Sequence, residues 1–207
     1  MRKLVTVITP TWQRHDLLVE CMANVAKQLY DNIEHVVVSD GPDGVLNSYM
    51  RGWPNALRAV PVTYVELGRN WTSIIPNSFG VAPLLVGSLV AKGDYQMWWC
   101  DDERAYTQHH IDMLVDLLEE GDYDFVYPRV CIWRNGDPNG PEGTVIGSEP
   151  PRHGQITHFL YKAELMREVQ LKFGEDPCDW AIVDAWLKKN FKYKLLPHTT
   201  FEHRLDR

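Results

Sequence analysis

Apolar residues run along this chain in short continuous stretches divided by polar, glycine-rich or proline-rich segments. KLVTVIT (3–9) is a β-branched run stopped by Pro10, EHVVVSD (34–40) ends in the turn signal GPDG, and VTYVEL (62–67) is a third run. Such runs suit strands of a buried parallel sheet better than strands with one wet face. DLLVECMANVAKQL, from Asp16, carries apolar residues at helical spacing, so the opening unit is strand, loop, helix, strand. SFGVAPLLVGSLVAK (78–92) predicts a helix that starts near Pro83 or is disturbed by it, before the Gly93-Asp94 turn and a strand YQMWW.

The second half is less regular. HHIDMLVDLLEE (109–120) is a strongly periodic helix, and DFVYPRVCIW (124–133) reads as one or two strands. Residues 135–154, NGDPNGPEGTVIGSEPPRHG, predict a surface loop too long to be mere connection. A strand-like QITHFLY, a helix from Lys162, a helix around DWAIVDAWLKK and a last strand YKLLP complete the pattern. Strands alternating with helices predict an α/β sandwich with a mostly parallel sheet between helices.

In open sheets of that kind ligands bind at the carboxyl ends of the strands. The segments expected there are TPTWQR, SDGPD, GRN and CDDER, which should converge on one crevice. Composition narrows what the crevice does. A chain of 207 residues with 44% hydrophobic and 24% charged residues fits one domain, and a net charge of -7 argues against a general binder of phosphate backbones. Cys21, Cys100, Cys131 and Cys178 are too scattered for a zinc site or disulfide framework and read as packed, reduced thiols. The apolar run in MRKLVTVITP is too short for a signal sequence, and no run spans a bilayer, so a soluble, cytoplasmic protein is expected. The sequon-like Asn70-Trp71-Thr72 then has no glycosylation meaning.

Asp101, Asp102 and Glu103 stand side by side at the exit of a buried strand, where like charges repel and lose solvation. Two readings answer this. The acids are solvated and favour the positive N-terminus of the next helix, or a hard divalent cation sits among them. Asp40 has two readings as well, an Asx turn into Gly41-Pro42 or an acceptor for a base or ribose. Thr11, Trp12 and Arg14 could hold a nucleotide, and Arg69 could pair with phosphates.

Taken together, VTVITPTWQRHDLLVECMANVAKQLYDNIEHVVVSDGPDG and AKGDYQMWWCDDE closely resemble the family 2 glycosyltransferases. Those enzymes carry a P-T-Y-N-R-like loop, a strand ending in D-G-S, and an A-x-G-D-Y turn before the acidic motif called DXD. Trp12 and Gln13 replace the common Tyr and Asn, and Cys100 stands where the strict motif has its first acid. The A-R-N of many relatives is replaced by Ala82-Pro83-Leu84-Leu85, so Arg69 or Asn70 would substitute for its polar contacts.

The resemblance implies a GT-A fold in a single domain, residues 1–207, with a nucleotide-binding half at about 1–104 and an acceptor side at 105–207. It implies that Pro10, Thr11, Trp12, Arg14, Asp40, Arg69 and Asp101 line the nucleotide, and that Asp102 binds Mn²⁺ or Mg²⁺ bridging the diphosphate. The donor would be a nucleotide diphosphate sugar, with a UDP-sugar favoured. The acceptor stays open among glycan, lipid-linked sugar, metabolite, protein and modified DNA.

GEDPCDWAIVDAWLKKNFKYKLLP resembles the family's E-D-W-D segment, which puts Asp179 at the general-base position of an inverting transfer, with Asp176 competing. Both could instead cap the helix. In PHTTFEHRLDR, His203 is the expected further metal ligand and His198 the alternative, whereas His109 and His110 read as helix-start residues. A nucleotidyltransferase would keep the fold, but TPTWQRHD is no glycine-rich basic phosphate loop. A catalytically inactive nucleotide-sugar-binding protein is the other alternative.

Overall fold

The structure is a computed structural model that describes residues 1–52, 60–75, 80–133, 144–151, 158–168 and 178–204; for 133, 144, 178, 179, 203 and 204 it describes the backbone alone. A nine-stranded mixed sheet runs through it in the order β3-β2-β1-β4-β8-β6-β9-β5, with β7 on β6. The first four of these, β1 (Val5–Thr11), β2 (Ile33–Ser39), β3 (Val62–Glu66) and β4 (Tyr95–Trp98), pair in parallel. β6 (Phe125–Trp133) and β9 (Tyr193–Arg204) are also parallel. Antiparallel pairings join β8 (Leu160–Lys162) to β4 and β6, β7 (Thr144–Ile146) to β6, and β5 (Glu103–Ala105) to β9. The sheet is therefore parallel where the predicted strand-helix alternation is regular and mixed where it lapses.

Helices α1 (His15–Ala26), α2 (Gly44–Gly52), α3 (Val81–Val90), α4 (His110–Glu120) and α5 (Cys178–Lys188) flank the sheet. Among the described residues no helix is long and apolar enough to cross a membrane. The core forms mainly in two clusters. Val7, Met97, Trp99, Ile111, Leu114 and Phe201 belong to one, and Ile8, Val38, Trp98, Phe125 and Trp186 to the other. Neighbours Val7 and Ile8, like Trp98 and Trp99, divide between them because successive strand residues point to opposite faces.

Several elements depart from the sequence expectation. Pro10 does not stop β1, which continues to Thr11 with Pro10 opposite Val38. Of the two expectations for Pro83 the first holds: it sits buried in the first turn of α3, where its missing N–H has no intrahelical partner to lose, and the helix starts nearby at Val81. Helix α2 begins on the last residue of GPDG, runs for nine residues and buries only Leu46, too short and too weakly apolar to register in the sequence. Its cap is Asp43, whose Oδ1 accepts the Leu46 N–H at 2.9 Å.

The Gly/Pro-rich segment contains β7, the helix expected from Lys162 is a 3₁₀ turn at Ala163–Glu168, and QIT of the expected strand lies outside the described residues. β9 does not end at Pro197. It continues to Arg204 past a register shift in which Pro128 pairs with Leu196 and Arg129 with Thr199, leaving Pro197 and His198 in an irregularity where a missing N–H is tolerated. The Gly93 turn is fixed by close approach. A Cβ there would lie 2.6 Å from Thr6 Oγ1 and 2.7 Å from Thr6 N.

Candidate functional site

Strands β1, β2 and β4 end side by side, and the residues that follow them meet. Thr11 closes β1 opposite Ser39, and the Asp40 N–H donates to the Thr11 carbonyl at 2.8 Å. Trp98 of β4 pairs with Ile8, so Asp101 and Asp102 turn over the end of β1. The Thr11 hydroxyl donates to Asp101 Oδ2 at 2.8 Å, and the Arg14 guanidinium donates to Asp101 Oδ1 at 2.8 Å and Asp102 Oδ2 at 3.2 Å. Asp101 and Asp102 are 4% and 5% exposed, so the guanidinium supplies charge that two nearly buried carboxylates demand.

Glu103 corrects the sequence reading. It is not a solvated residue leading into a helix but a buried one that opens β5. Its Oε2 accepts the Cys100 N–H at 3.0 Å and pairs with His158 Nε2 at 2.6 Å, while its backbone N–H bonds the Cys100 carbonyl at 3.2 Å. Its own carbonyl accepts Trp99 Nε1 at 3.0 Å. The turn Cys100–Glu103, which presents the two aspartates, is thus clamped from inside by its last residue. The three acids are neither a solvated loop nor equivalent.

Asp40 is also corrected in part. It makes no Asx turn into Gly41; instead Oδ1 accepts the Trp71 N–H at 2.9 Å and Oδ2 the Thr72 N–H at 3.0 Å, tying the loop after β3 to the end of β2. A carboxylate keeps further lone pairs for a ligand after two such bonds. Trp12 lies against Gly41, whose φ is 130° and whose Cβ, if present, would be 2.7 Å from the indole and 2.9 Å from Asn70 N. The chain beside the indole has room only for glycine.

Arg69 is exposed, its guanidinium 5.7 Å from the centre of the Trp71 ring, and Pro10 packs beside the position of Gly80 at the start of α3. Nearby, His15 Nε2 meets Asp43 Oδ2 at 2.9 Å, and the Asp43 N–H donates to Glu66 Oε2 at 3.0 Å. Burial pushes the Asp43 pKa up, but bonds from Leu46 and His15 outweigh it and hold the carboxyl below its ordinary value.

The remaining candidates divide. His109 caps α4 and His110 starts it, as expected; His110 is fully buried, with Nδ1 2.8 Å from Thr200 Oγ1 and its ring edge-on to Trp99. Asp179 falls in the first turn of α5 with its side chain outside the described atoms, and Asp176 lies outside the described residues. His198 is exposed at the β9 irregularity. The backbone of His203 pairs with Glu103 across β5 and β9, one residue after Asp102, and its side chain is likewise outside the described atoms.

Among the described residues no group of three or more His, Cys, Asp or Glu could hold a metal. The donor set that is present, two carboxylates already answered by a cationic group, fits a hard divalent ion that takes its other ligands from water or phosphate. A cleft of about 280 Å³ opens on the α1 side of the acidic turn, lined by Glu20, Asn24, Lys27, Asp101, Asp102 and Arg104 among others.

Sequence reasoning missed the roles of Glu103 and His158. An acid one residue past a turn is not distinguishable from a surface acid without its partner, and His158 is 55 positions away. His15 and Asp43 were missed for the same reason, although the Asp before Gly44 carried a capping signal.

Comparison with known proteins bears on this arrangement. The family model for glycosyl transferase family 2 matches residues 6–191. A glycosyltransferase, GlyG, of Streptococcus pneumoniae serotype 4 is 27% identical over 140 residues, which are 67% of this chain and 43% of that protein. Among solved structures, S. aureus TarS 1-349 in complex with UDP-GlcNAc superposes with a TM-score of 0.74 at 16% identity, over 99% of this chain and 59% of TarS. The mannosyltransferase PcManGT from Pyrobaculum calidifontis, in complex with GDP-Man and Mn²⁺, superposes at 0.71 with 18% identity, over 100% of this chain and 58% of its own. The chain thus spans less than two thirds of the length of these relatives, and at such identities the structural likeness establishes the fold, a GT-A-like mixed α/β sheet flanked by helices. By the family model that covers most of its length, the chain belongs to glycosyl transferase family 2.

Proposed function

We propose that this chain transfers a sugar from a nucleotide diphosphate sugar to an acceptor hydroxyl with the help of a divalent cation, and that the transfer inverts the anomeric centre. The observation that carries this is the convergence of Thr11, Arg14, Asp101 and Asp102 at the carboxyl ends of β1 and β4. A diphosphate needs positive charge and a cation, and a guanidinium beside two carboxylates supports a setting that would supply both. In this reading Pro10, Thr11, Trp12 and Asp40 form the nucleobase side, with Arg69 near the nucleotide, and Asp101 meets the ribose. Asp102 and His203 would hold Mn²⁺ or Mg²⁺, which neutralises the leaving diphosphate. Asp179 would take the proton from the acceptor hydroxyl. That relatives of the same fold are bound to UDP-GlcNAc and to GDP-Man with Mn²⁺ favours a nucleotide-sugar donor, and a UDP-sugar is the first choice.

The test is a thermal-shift panel of UDP, GDP, dTDP and CDP with and without Mn²⁺, since a ligand bound only by the native state raises its stability by mass action. UDP is expected to raise Tm most, and more with Mn²⁺ than without. No shift with any nucleotide would remove the donor reading. With the donor identified, Asp179→Asn should keep the shift and lose transfer by roughly 100-fold or more, the scale of a lost general base; full activity would exclude Asp179 as the base.

A further inference from the structure

Among the described residues, Arg14 is the cation that reaches both aspartates of the site. It is the residue just before α1, preceded by Gln13 at φ 53°, in the left-handed region that residues other than glycine seldom adopt. That turn brings the guanidinium back over the end of β1, where one nitrogen, Nη1, reaches both Asp101 Oδ1 at 2.8 Å and Asp102 Oδ2 at 3.2 Å. The two acids are 3% and 4% exposed at the side chain, whereas Arg14 is 27% exposed. The acids are fixed in the fold, Asp101 by the Thr11 hydroxyl and the turn as a whole by Glu103. Arg14 has solvent on one side and a flexible stem, so it is the member of the cluster that can leave.

From this geometry we infer that Arg14 is a built-in counter-cation that competes with the divalent ion for Asp102. The inference rests on the proposed metal role of Asp102. With Arg14 docked, its single positive charge offsets half of the charge of the acidic pair and occupies an oxygen of each acid, so a divalent ion entering at Asp102 must displace the guanidinium. The ion's apparent affinity is then lowered by the fraction of molecules in which Arg14 is away. The released guanidinium remains beside the site, with its forked donors suited to a phosphate. A diphosphate that holds Arg14 elsewhere would thereby open Asp102 to the metal. Metal and nucleotide binding would reinforce each other, which keeps the free enzyme from filling its site with metal alone.

The experiment is a Mn²⁺ titration of the full chain followed by the electron paramagnetic resonance signal of free Mn²⁺, with and without UDP. Arg14→Gln is expected to bind Mn²⁺ without nucleotide about ten-fold more tightly than the wild type, the effect of a competitor docked in about nine molecules of ten. UDP should tighten Mn²⁺ binding more in the wild type than in this variant, and adding Asp102→Asn to Arg14→Gln should abolish the gain. Arg14→Lys keeps the charge on a shorter stem, so its nitrogen reaches the two acids less well, and should fall between the two. If Arg14→Gln does not fold, as judged by circular dichroism, the Lys variant decides alone: tighter binding than wild type supports competition and equal binding overturns it. Equal or weaker Mn²⁺ binding by Arg14→Gln overturns the role of Arg14 and leaves the metal site standing. No Mn²⁺ binding by either protein, with UDP bound to both, removes the metal reading itself and the competition with it.

Discussion

Asp101, Asp102 and Glu103 are three adjacent acids with three environments. Asp101 is held by a hydroxyl and a guanidinium, Asp102 shares that guanidinium, and Glu103 faces inward to a histidine and a backbone N–H. Glu103 and His158 are each 2% exposed at the side chain, so removing one leaves the other buried and short of a polar partner at 2.6 Å. Glu103→Ala is therefore expected to cost about 3 kcal/mol, the scale for breaking a buried pair from one side, read from urea unfolding. A loss below about 1 kcal/mol, the range of exposed pairs, would show that the pair does not support the turn.

Between elements, the site depends on how the loop after β3 and the loop after β1 are pinned. Asp40 fixes the first through the Trp71 and Thr72 N–H groups, and Gly41 admits the second by leaving space for the Trp12 indole. Gly41→Ala would add a Cβ 2.7 Å from that indole at a φ of 130°, and should destabilise the protein by about 2 kcal/mol or more through overpacking and strain. Because the displaced ring belongs to the proposed nucleobase side, the same variant should weaken nucleotide-dependent thermal stabilisation. Unchanged Tm and unchanged nucleotide shift would mean that the indole is not held in place by Gly41.

For the molecule as a whole, two buried histidines set a pH limit. Burial pushes the pKa of His35 and of His110 down to about 3. His35 meets the Thr9 hydroxyl at 2.8 Å and His110 that of Thr200, while the charge of nearby His158 adds to the depression at His110. The unfolded chain takes up protons at these residues below about pH 6.5, while the folded chain refuses them until about pH 3. The stability they contribute is complete above pH 6.5 and is lost as pH falls through this window. The two together should lower stability by up to about 2.7 kcal/mol per pH unit there. Urea midpoints from pH 7 to 5 test this, and a flat profile would contradict it; His35→Gln should reduce the slope by about half.

The strand-helix alternation, the sheet's parallel half and the four segments at the strand ends are legible in the sequence because they follow from hydrophobic periodicity and turn chemistry, which act over a few residues. The same local signals mark the turn at Gly93, where close approach forbids a side chain, whereas the acidic motif with its altered first position is read from the family resemblance. Helix α2 and strands β5 and β7 are too short or too weakly apolar to be read that way. The inward turn of Glu103 toward His158, the capture of the 71–72 backbone by Asp40 and the bridge from Arg14 to two aspartates join residues 31 to 88 positions apart. Sequence alone determined which polar residues stand at the strand ends. The tertiary structure decided which are partners, because burial and ion pairing depend on what the folded sheet brings within hydrogen-bond reach.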